Sequence, residues 1–518
     1  MAVKITYATM SPDNEELNIA YEKAVVEADS RLGQIHGVIV NGDSRTDREK
    51  FEETSPIDHD IVVGRYAQAN QRDVDDAIAA AKAYQPEWEA LGWETRRDLM
   101  LSAADIMESQ VFDLGALLTF EIGKNRLEAL GDAAETVEFL RYYSRLITDN
   151  EGFVRPLGSL SANEHNISVA RPWGVWGVIS PFNFPLALAG GPSIGALITG
   201  NTVVIKPSNT GALMALEFYR VMREAGLPAG ALHVVTGGDE IGDYLAHHDD
   251  LDGLTFTGSH EVGMYLYRTV NERRPKPVTA EMGGKNPVVV TATADLDVAA
   301  EGVARGAFGL SGQKCSATSR VFVEDDVYEE FVDRLVARTR KIKVGVPSDR
   351  DVYMGPVIDE DAVQRFKEAV SEVQSSGGKV LAGGSVIEDG DLARGNFVEP
   401  TVVTAPGGSW VWDRELFVPF VAVAKVSGLE EGLEKSNDTP FGLTAGLFTG
   451  DVSEIERWFR GIQAGVTYVN RAAGATTGAW PDIQSFGGWK GSGTSGAGGG
   501  GPWYLRQFLR EQSRTLVE

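Results

Sequence analysis

The chain has 518 residues, of which 43% are hydrophobic and 24% charged, with a formal net charge of −26. That length exceeds a single hydrophobic core and predicts two or three soluble domains. The negative balance argues against nucleic acid as a partner, because phosphates are repelled. Met1-Ala2-Val3-Lys4-Ile5-Thr6 has neither a cationic n-region nor an apolar h-region, so no secretory leader is expected. The longest mostly apolar stretch, near Leu186–Ile198, is too short and too rich in glycine and proline to span a bilayer. A cytoplasmic protein without membrane contact is the expectation.

Apolar residues at helical spacing predict amphipathic helices over 74–92, 94–109 and 125–147. Phe153–Leu157 and Asn166–Arg171 read as two strands of a hairpin around a polar Gly/Ser/Asn turn. From Trp173 the texture changes. Strands at Val175–Ser180, Thr202–Lys206, Leu232–Thr236 and Gly253–Phe256 alternate with helices at Ile194–Thr199, Leu213–Ala225 and Glu240–Ala246. A second series follows, with strands at Pro287–Val290, Arg320–Val323 and Val421–Lys425 and helices at Ala299–Phe308, Val327–Lys341 and Asp361–Ser375. This alternation predicts doubly wound α/β sheets. Gly487–Gly501 reads as a mobile or tightly wrapped loop before a last strand or short helix at Tyr504–Thr515.

The one cysteine, Cys315, sits in Gly312-Gln313-Lys314-Cys315-Ser316-Ala317. A lone thiol forms no intrachain disulfide and no thiolate metal cage; it is an inert core residue or a nucleophile. Its small, polar flanks and adjacent lysine differ from the Leu, Val and Ile that usually surround a core thiol. Glu281, beside Gly283-Gly284, has room for a substrate and suits a general base; it is otherwise a surface glutamate at a turn. Asn183 lies in the stiff Ser180-Pro181-Phe182-Asn183-Phe184-Pro185, which suits an oxyanion donor as well as an ordinary turn. Lys206-Pro207-Ser208-Asn209 ends a strand, where a lysine meets ribose or phosphate, or is merely solvated with Ser208 as a helix N-cap. Thr255-Phe256-Thr257-Gly258-Ser259 and Gly263 make a glycine turn into a helix, a place for phosphate, without the spacing of the common dinucleotide fingerprint. The seven histidines have no metal spacing, and no metal is assigned.

Pro-Phe-Asn-Phe-Pro, Lys-Pro-Ser, Phe-Thr-Gly-Ser, Glu-Met-Gly-Gly-Lys-Asn-Pro, Gly-Gln-Lys-Cys, Glu-Leu-Phe-x-Pro and Phe-Gly-Gly-x-Lys-x-Ser-Gly occur in that order across roughly residues 35–510. This constellation resembles the aldehyde dehydrogenase superfamily. The resemblance implies a Rossmann-like cofactor domain (1–147 and 170–282), an α/β catalytic domain (283–484) and oligomerisation segments (148–169 and 485–518), in a homo-oligomer of two or more chains. It implies oxidation of an aldehyde to a carboxylate through a thiohemiacetal and a thioester on Cys315, with Asn183 at the oxyanion and Glu281 activating water. For the cofactor it implies Lys206 at the adenosine ribose and Ser259 at the pyrophosphate, with Ser180, Pro181, Phe182, Ser208, Asn209, Gly242, Thr257, Gly258 and Gly263 as further cofactor contacts. Glu415 and Phe417 would meet the nicotinamide ribose, and Met282 and Gly283 are also cofactor contacts. Many NAD-preferring members carry Glu where this chain has Asn209, so NAD with some tolerance of NADP is expected.

Gln313-Lys314-Cys315-Ser316-Ala317 is most similar to the branch that oxidises glutamate semialdehyde. That likeness implies Phe184, Ser316, Gly478, Ala479 and Phe486 as substrate contacts. The stretch from Asn470 to Phe486 is longer than in that pattern and holds a second pair, Gly474-Ala475. Two other readings stand beside this one: a broad-specificity oxidiser of aliphatic or aromatic aldehydes, and a catalytically silent structural member. Retention of Cys315, Glu281 and Asn183 argues against the second.

Overall fold

Two seven-stranded sheets organise the molecule, in a computed structural model that describes residues 13–473 and 480–518. The first runs in space as Val278–Met282, Gly253–Gly258, Val175–Ser180, Thr202–Pro207, Leu232–Val234, Val38–Val40 and Asp43–Arg45. Its first five strands are parallel, and an antiparallel hairpin closes the edge. Thr202–Pro207 is buried at every position, as expected of a parallel strand covered on both faces.

The second sheet runs as Lys379–Ala382, Thr401–Thr404, Phe420–Val426, Thr318–Glu324, Asn286–Val290, Thr444–Phe448 and Val466–Val469. Only its first strand is antiparallel. A third, antiparallel sheet joins Leu509–Val517 to Glu164–Pro172 and that strand to Val154–Pro156. The end of the chain thus combines both readings of Tyr504–Thr515: a 3-10 turn over Tyr504–Phe508, then a strand.

One expectation needs correction. The helix read from Ile194 begins at Pro185 and runs to Ile198. Proline at the first helical position presets φ and forgoes an amide that would be unpaired there anyway. All but one of its residues are buried, so it is apolar all round and offers no 3.6-residue pattern to read. Its glycines serve close approach: a Cβ on Gly195 would strike the Phe508 ring at 2.6 Å, and one on Gly190 would strike Thr136 at 2.8 Å. The helix Arg126–Asp149 packs along it. Among the described residues no helix is long and apolar enough to cross a membrane.

Candidate active site

Register carries the predicted residues to one edge. Ile179 pairs with Lys206 and Ser180 with Pro207, while Phe256 pairs with both Ile179 and Ala280. Thr257 pairs with Glu281 and Gly258 with Met282. Four parallel strands therefore end together at Ser180, Lys206, Gly258 and Glu281. The strand ending at Ser180 is flanked by the strand that follows it in sequence and by a later one, so the winding reverses there. Outside the carboxyl ends at such a reversal, α/β sheets bind ligands.

Lys206 is 5% exposed, and its ammonium has no hydrogen-bond or ion-pair partner among the described residues. Burial holds its pKa below the ordinary lysine value, opposed by Asp239 and Glu240. Gly242 faces its stem, where a Cβ would sit 3.6 Å from Lys206 Cδ. Ser208 is not a helix cap, because the next helix starts at Ala212 after Gly211. Its N–H instead donates to the Ser180 carbonyl (2.9 Å), tying two strand ends together. Ser180 Oγ and Asn209 Oδ1 are buried without a partner. Ser259 caps the helix His260–Thr269, accepting from the Val262 N–H at 3.3 Å, and Gly263 in its first turn lies against Met282. Pro181 and Phe182 lead off the central strand, and the Phe182 ring meets Phe417 edge-on at 5.8 Å. Phe417 is held at φ 56°, in the left-handed region.

Cys315 follows three consecutive left-handed residues, Leu310, Ser311 and Gly312 (φ 47°, 53° and 70°). A side chain at Gly312 would strike the Val418 carbonyl. Such backbone costs about 1–3 kcal/mol per non-glycine residue and persists only when its surroundings enforce it. Glu128 does so, accepting from the Leu310 N–H (2.9 Å) and from Lys314 Nζ (2.7 Å). Ser311 Oγ donates to the Gly355 carbonyl (2.8 Å), and Gln313 Oε1 accepts from the Ile358 N–H (2.8 Å). On the far side Asn286 Nδ2 donates to the carbonyls of Cys315 (2.7 Å) and Ala317 (2.9 Å). Asn183, buried, donates from Nδ2 to the Gln313 carbonyl at 3.0 Å, which sets its amide on the backbone two residues before the thiol.

The half-buried thiol has its pKa pushed up to about 12, first by burial, then by the charges of Glu415 and Glu281, against the N–H groups of Ser316 and Cys315. At rest it is a neutral thiol. Burial also lifts Glu281 to about 8, opposed by the Gly488 N–H, and leaves its Oε2 without a partner. Glu415 is raised to about 7 by burial, opposed by the Gly284 N–H (2.9 Å from its Oε1) and by the Lys285 ammonium. A Cβ on Gly283 would stand where the Glu415 carboxylate is, so glycine is required there. Around the thiol are thus two carboxyls that exchange protons near neutrality.

Phe184 lies under Lys124 Nζ, 3.6 Å from the ring centroid, with Lys314 Nζ at 5.9 Å. Lys124 pairs with Asp132 at 2.8 Å, and neither side chain has any exposure. Asp132 also accepts from the Ala187 N–H (2.8 Å), so it anchors the start of the helix that follows Asn183 and Phe184. Glu135, on the same face, is raised to about 8 by burial and by Asp132. Ser316 is buried, and its carbonyl accepts from Thr444 Oγ1 (3.3 Å). Phe486 is half-buried and exchanges two backbone hydrogen bonds with Gly499 (2.9 and 2.8 Å). Gly478 and Ala479, like Gly474 and Ala475, lie outside the described residues.

The carboxylate stripe was missed from sequence. Glu128, Asp132 and Glu135 recur at i, i+4 and i+7 of a predicted helix, and acids at that spacing on a buried face were the available signal. Also missed were Ser492 and Thr494. The glycine-rich loop wraps the Glu281 strand: Ser492 O accepts from the Met282 N–H (2.9 Å), Ser492 Oγ donates to Gly283 O (2.7 Å), and Thr494 Oγ1 accepts from the Ala280 N–H (2.8 Å).

The aldehyde dehydrogenase family model matches residues 43–513. The chain belongs to the aldehyde dehydrogenase family. This family member is 38% identical over 512 residues to 1-pyrroline-5-carboxylate dehydrogenase 2 of Halalkalibacterium halodurans, covering 97% of each chain. It is 37% identical over 507 residues to the 1-pyrroline-5-carboxylate dehydrogenase of Bacillus subtilis, covering 96% of each. Its fold matches the crystal structure of 1-pyrroline-5-carboxylate dehydrogenase from Thermus with bound NAD, with a TM-score of 0.93 and 32% identity over 100% of this chain and 98% of that one.

Proposed function

We propose that this aldehyde dehydrogenase oxidises L-glutamate γ-semialdehyde to glutamate with NAD, through a covalent intermediate on Cys315. The observation that carries the reading is the placing of one thiol beside Asn183 and the carboxyls of Glu281 and Glu415, at the carboxyl edge of a doubly wound sheet. The naming of the similar bacterial dehydrogenases supports the substrate.

The residues present fit NAD. Among the described residues, a buried lysine without an ion-pair or hydrogen-bond partner and two buried oxygens without partners, Ser180 Oγ and Asn209 Oδ1, stand at one strand edge beside a helix N-terminus. We assign the adenosine side to Lys206, Ser208 and Asn209, the pyrophosphate to the Gly258-Ser259 turn, and the nicotinamide ribose to Glu415 and Phe417. When bound, NAD supplies the hydride acceptor. Asn209 adds no charge against a 2′-phosphate, so NADP is tolerated.

The thiol gives its proton to water, and the sulfur attacks the aldehyde carbon to form a C–S bond as the C=O π pair moves onto the oxygen. The oxygen of that adduct becomes an oxyanion, met by Asn183 Nδ2 and the Cys315 N–H. Loss of hydride from the adduct carbon leaves a thioester. Glu281, as carboxylate, then takes a proton from water while the water oxygen attacks the thioester carbon. The C–S bond breaks, glutamate leaves and the sulfur returns. The sum is aldehyde, NAD⁺ and water giving carboxylate, NADH and protons. Phe184, Ser316, Phe486 and the Gly478-Ala479 pair are assigned to the amino-acid end of the substrate.

We assign 1–147 with 170–282 to the cofactor, 283–484 to the thiol, and 148–169 with 485–518 to assembly, although the strand Glu164–Pro172 of the third sheet runs past the 169/170 boundary. The third sheet supports a homo-oligomer, since eight of the nine residues of Leu509–Val517 are exposed along a long strand, a surface that invites pairing with another chain. A reducing cytoplasm suits a working free thiol. The deciding experiment compares NAD⁺ reduction with glutamate semialdehyde, propanal, hexanal and benzaldehyde. A far higher kcat/KM for glutamate semialdehyde is expected. Equal turnover of the simple aldehydes would discard the amino-acid anchor and favour a broad-specificity oxidiser.

A further inference from the structure

A cavity of about 190 Å³, lined by none of the residues placed around Cys315, opens between the turn at Leu91, the carboxyl end of the helix Pro185–Ile198 and the third sheet. Trp93 and Phe153 wall it, and Glu89, Arg96, Arg171 and Arg514 supply its charge. Three guanidinium groups against one carboxylate is an unusual concentration in a chain of net charge −26.

Glu89 is already taken. Its Oε1 accepts from Arg171 Nε (2.8 Å) and Nη2 (2.7 Å). Arg96 is 5% exposed yet has no carboxylate within ion-pair distance among the described residues. Its Nε donates to the Ile198 carbonyl (3.0 Å), and its Nη1 donates to the carbonyls of Trp88 (3.1 Å) and Glu89 (3.0 Å). A guanidinium has five donors, so both N–H groups of Nη2 are left over. Among the described residues Arg514, exposed, donates from Nε to Gln512 Oε1 (2.8 Å) and has no carboxylate at ion-pair distance. Burial lowers the Arg96 pKa to about 10 against the nearby charges of Glu89 and Glu94, and its Nη2 donors remain available to an anion.

The apolar wall is built at a cost. Glu151, Gly152 and Phe153 are all left-handed (φ 50°, 64° and 59°), and a side chain on Gly152 would strike the Trp93 indole. This strained turn presses directly on Trp93 and carries Phe153 to the cavity.

We propose that this cavity is a binding site for a small monocarboxylate with a flat apolar body, its carboxylate on Arg96 and Arg514 and its body between Trp93 and Phe153. The volume suits a molecule of roughly ten heavy atoms, below the 300–1,000 Å³ of drug-sized pockets. Planar guanidinium groups match a carboxylate better than a halide or an alcohol.

The probe is 4-fluorobenzoate, followed by ¹⁹F line broadening with the full-length protein in saturating NAD⁺ and glutamate, which fill the catalytic site. Binding is expected, with none for 4-fluorobenzyl alcohol, the same body without the charge. Arg514→Gln is expected to weaken binding tenfold or more with propanal oxidation unchanged. Trp93→Leu is expected to weaken 4-fluorobenzoate but not fluoroacetate. No binding at millimolar probe, loss of binding only when glutamate is added, or equal binding by Arg514→Gln each overturns the site. So does a change of assembly by light scattering in Arg514→Gln without any benzoate effect, which would make the cleft a contact between copies.

Discussion

At the scale of single residues, Glu281 sets a pH dependence with a definite sign. Its carboxyl is raised to about 8, and the hydrolytic role proposed for it needs the carboxylate. The deacylation rate should therefore climb as pH rises through about 8 and level off above it. Glu281→Gln should flatten that limb and lower steady-state turnover by roughly 10²–10⁴-fold, the usual reach of a general base. A pre-steady-state burst of NADH should survive, because hydride leaves before water is needed; loss of the burst would move Glu281 to the first step. Asn209 gives a second residue-level test. On the proposed adenosine side, Asn209→Glu sets a carboxylate against the 2′-phosphate, so kcat/KM with NADP⁺ should fall at least about tenfold by like-charge repulsion while that with NAD⁺ holds. Equal losses with both would show that Asn209 meets no 2′ group. The residues of both tests were legible in sequence because Glu-Met-Gly-Gly and Lys-Pro-Ser-Asn are contiguous motifs. The Glu415 carboxylate lying against Gly283 and Gly284 was not legible, because 131 residues separate the partners of its hydrogen bond to the Gly284 N–H.

At the scale of elements, the helix Pro185–Ile198 is positioned by Asp132, which takes its Ala187 N–H and neutralises Lys124 in full burial. Asp132→Ala would leave an unpaired buried ammonium above Phe184, a change that typically costs about 3–5 kcal/mol. A lower urea midpoint together with a raised KM for the aldehyde is expected, and an unchanged midpoint would show that Lys124 finds another partner. Sequence reading located seven of the parallel strands and passed over Val278–Met282, Thr401–Thr404, Thr444–Phe448 and Val466–Val469, short runs that gain their strand character from the neighbours they pair with. It failed on this helix for a physical reason: an element buried on every side has no polar face and so no periodicity. It also passed over Glu15–Asp29, whose helical stripe is weak and whose Asn14 cap is one short side chain accepting from the Leu17 N–H.

At the scale of the whole molecule, the proposed homo-oligomer is tested at the third sheet. Removing residues 509–518 deletes the strand paired with Glu164–Pro172 along nine register positions and should release monomers by light scattering. An intact oligomer after truncation would place the contact elsewhere. The alternation of strands and helices made two α/β sheets legible, and the Gly/Ser/Asn turn made the hairpin legible. The path of Gly487–Gly501 was open, because glycine-rich sequence specifies no single backbone and its docking comes from Ser492 and Thr494 meeting a strand two hundred residues earlier. The solitary thiol has a consequence for oxidative damage. With no second cysteine in the chain, a sulfenic acid on Cys315 has no resolving partner inside the molecule. Rescue must come from a small thiol of the surroundings that reaches the crevice, and where such thiols are depleted the oxidised sulfur advances to the irreversible acids.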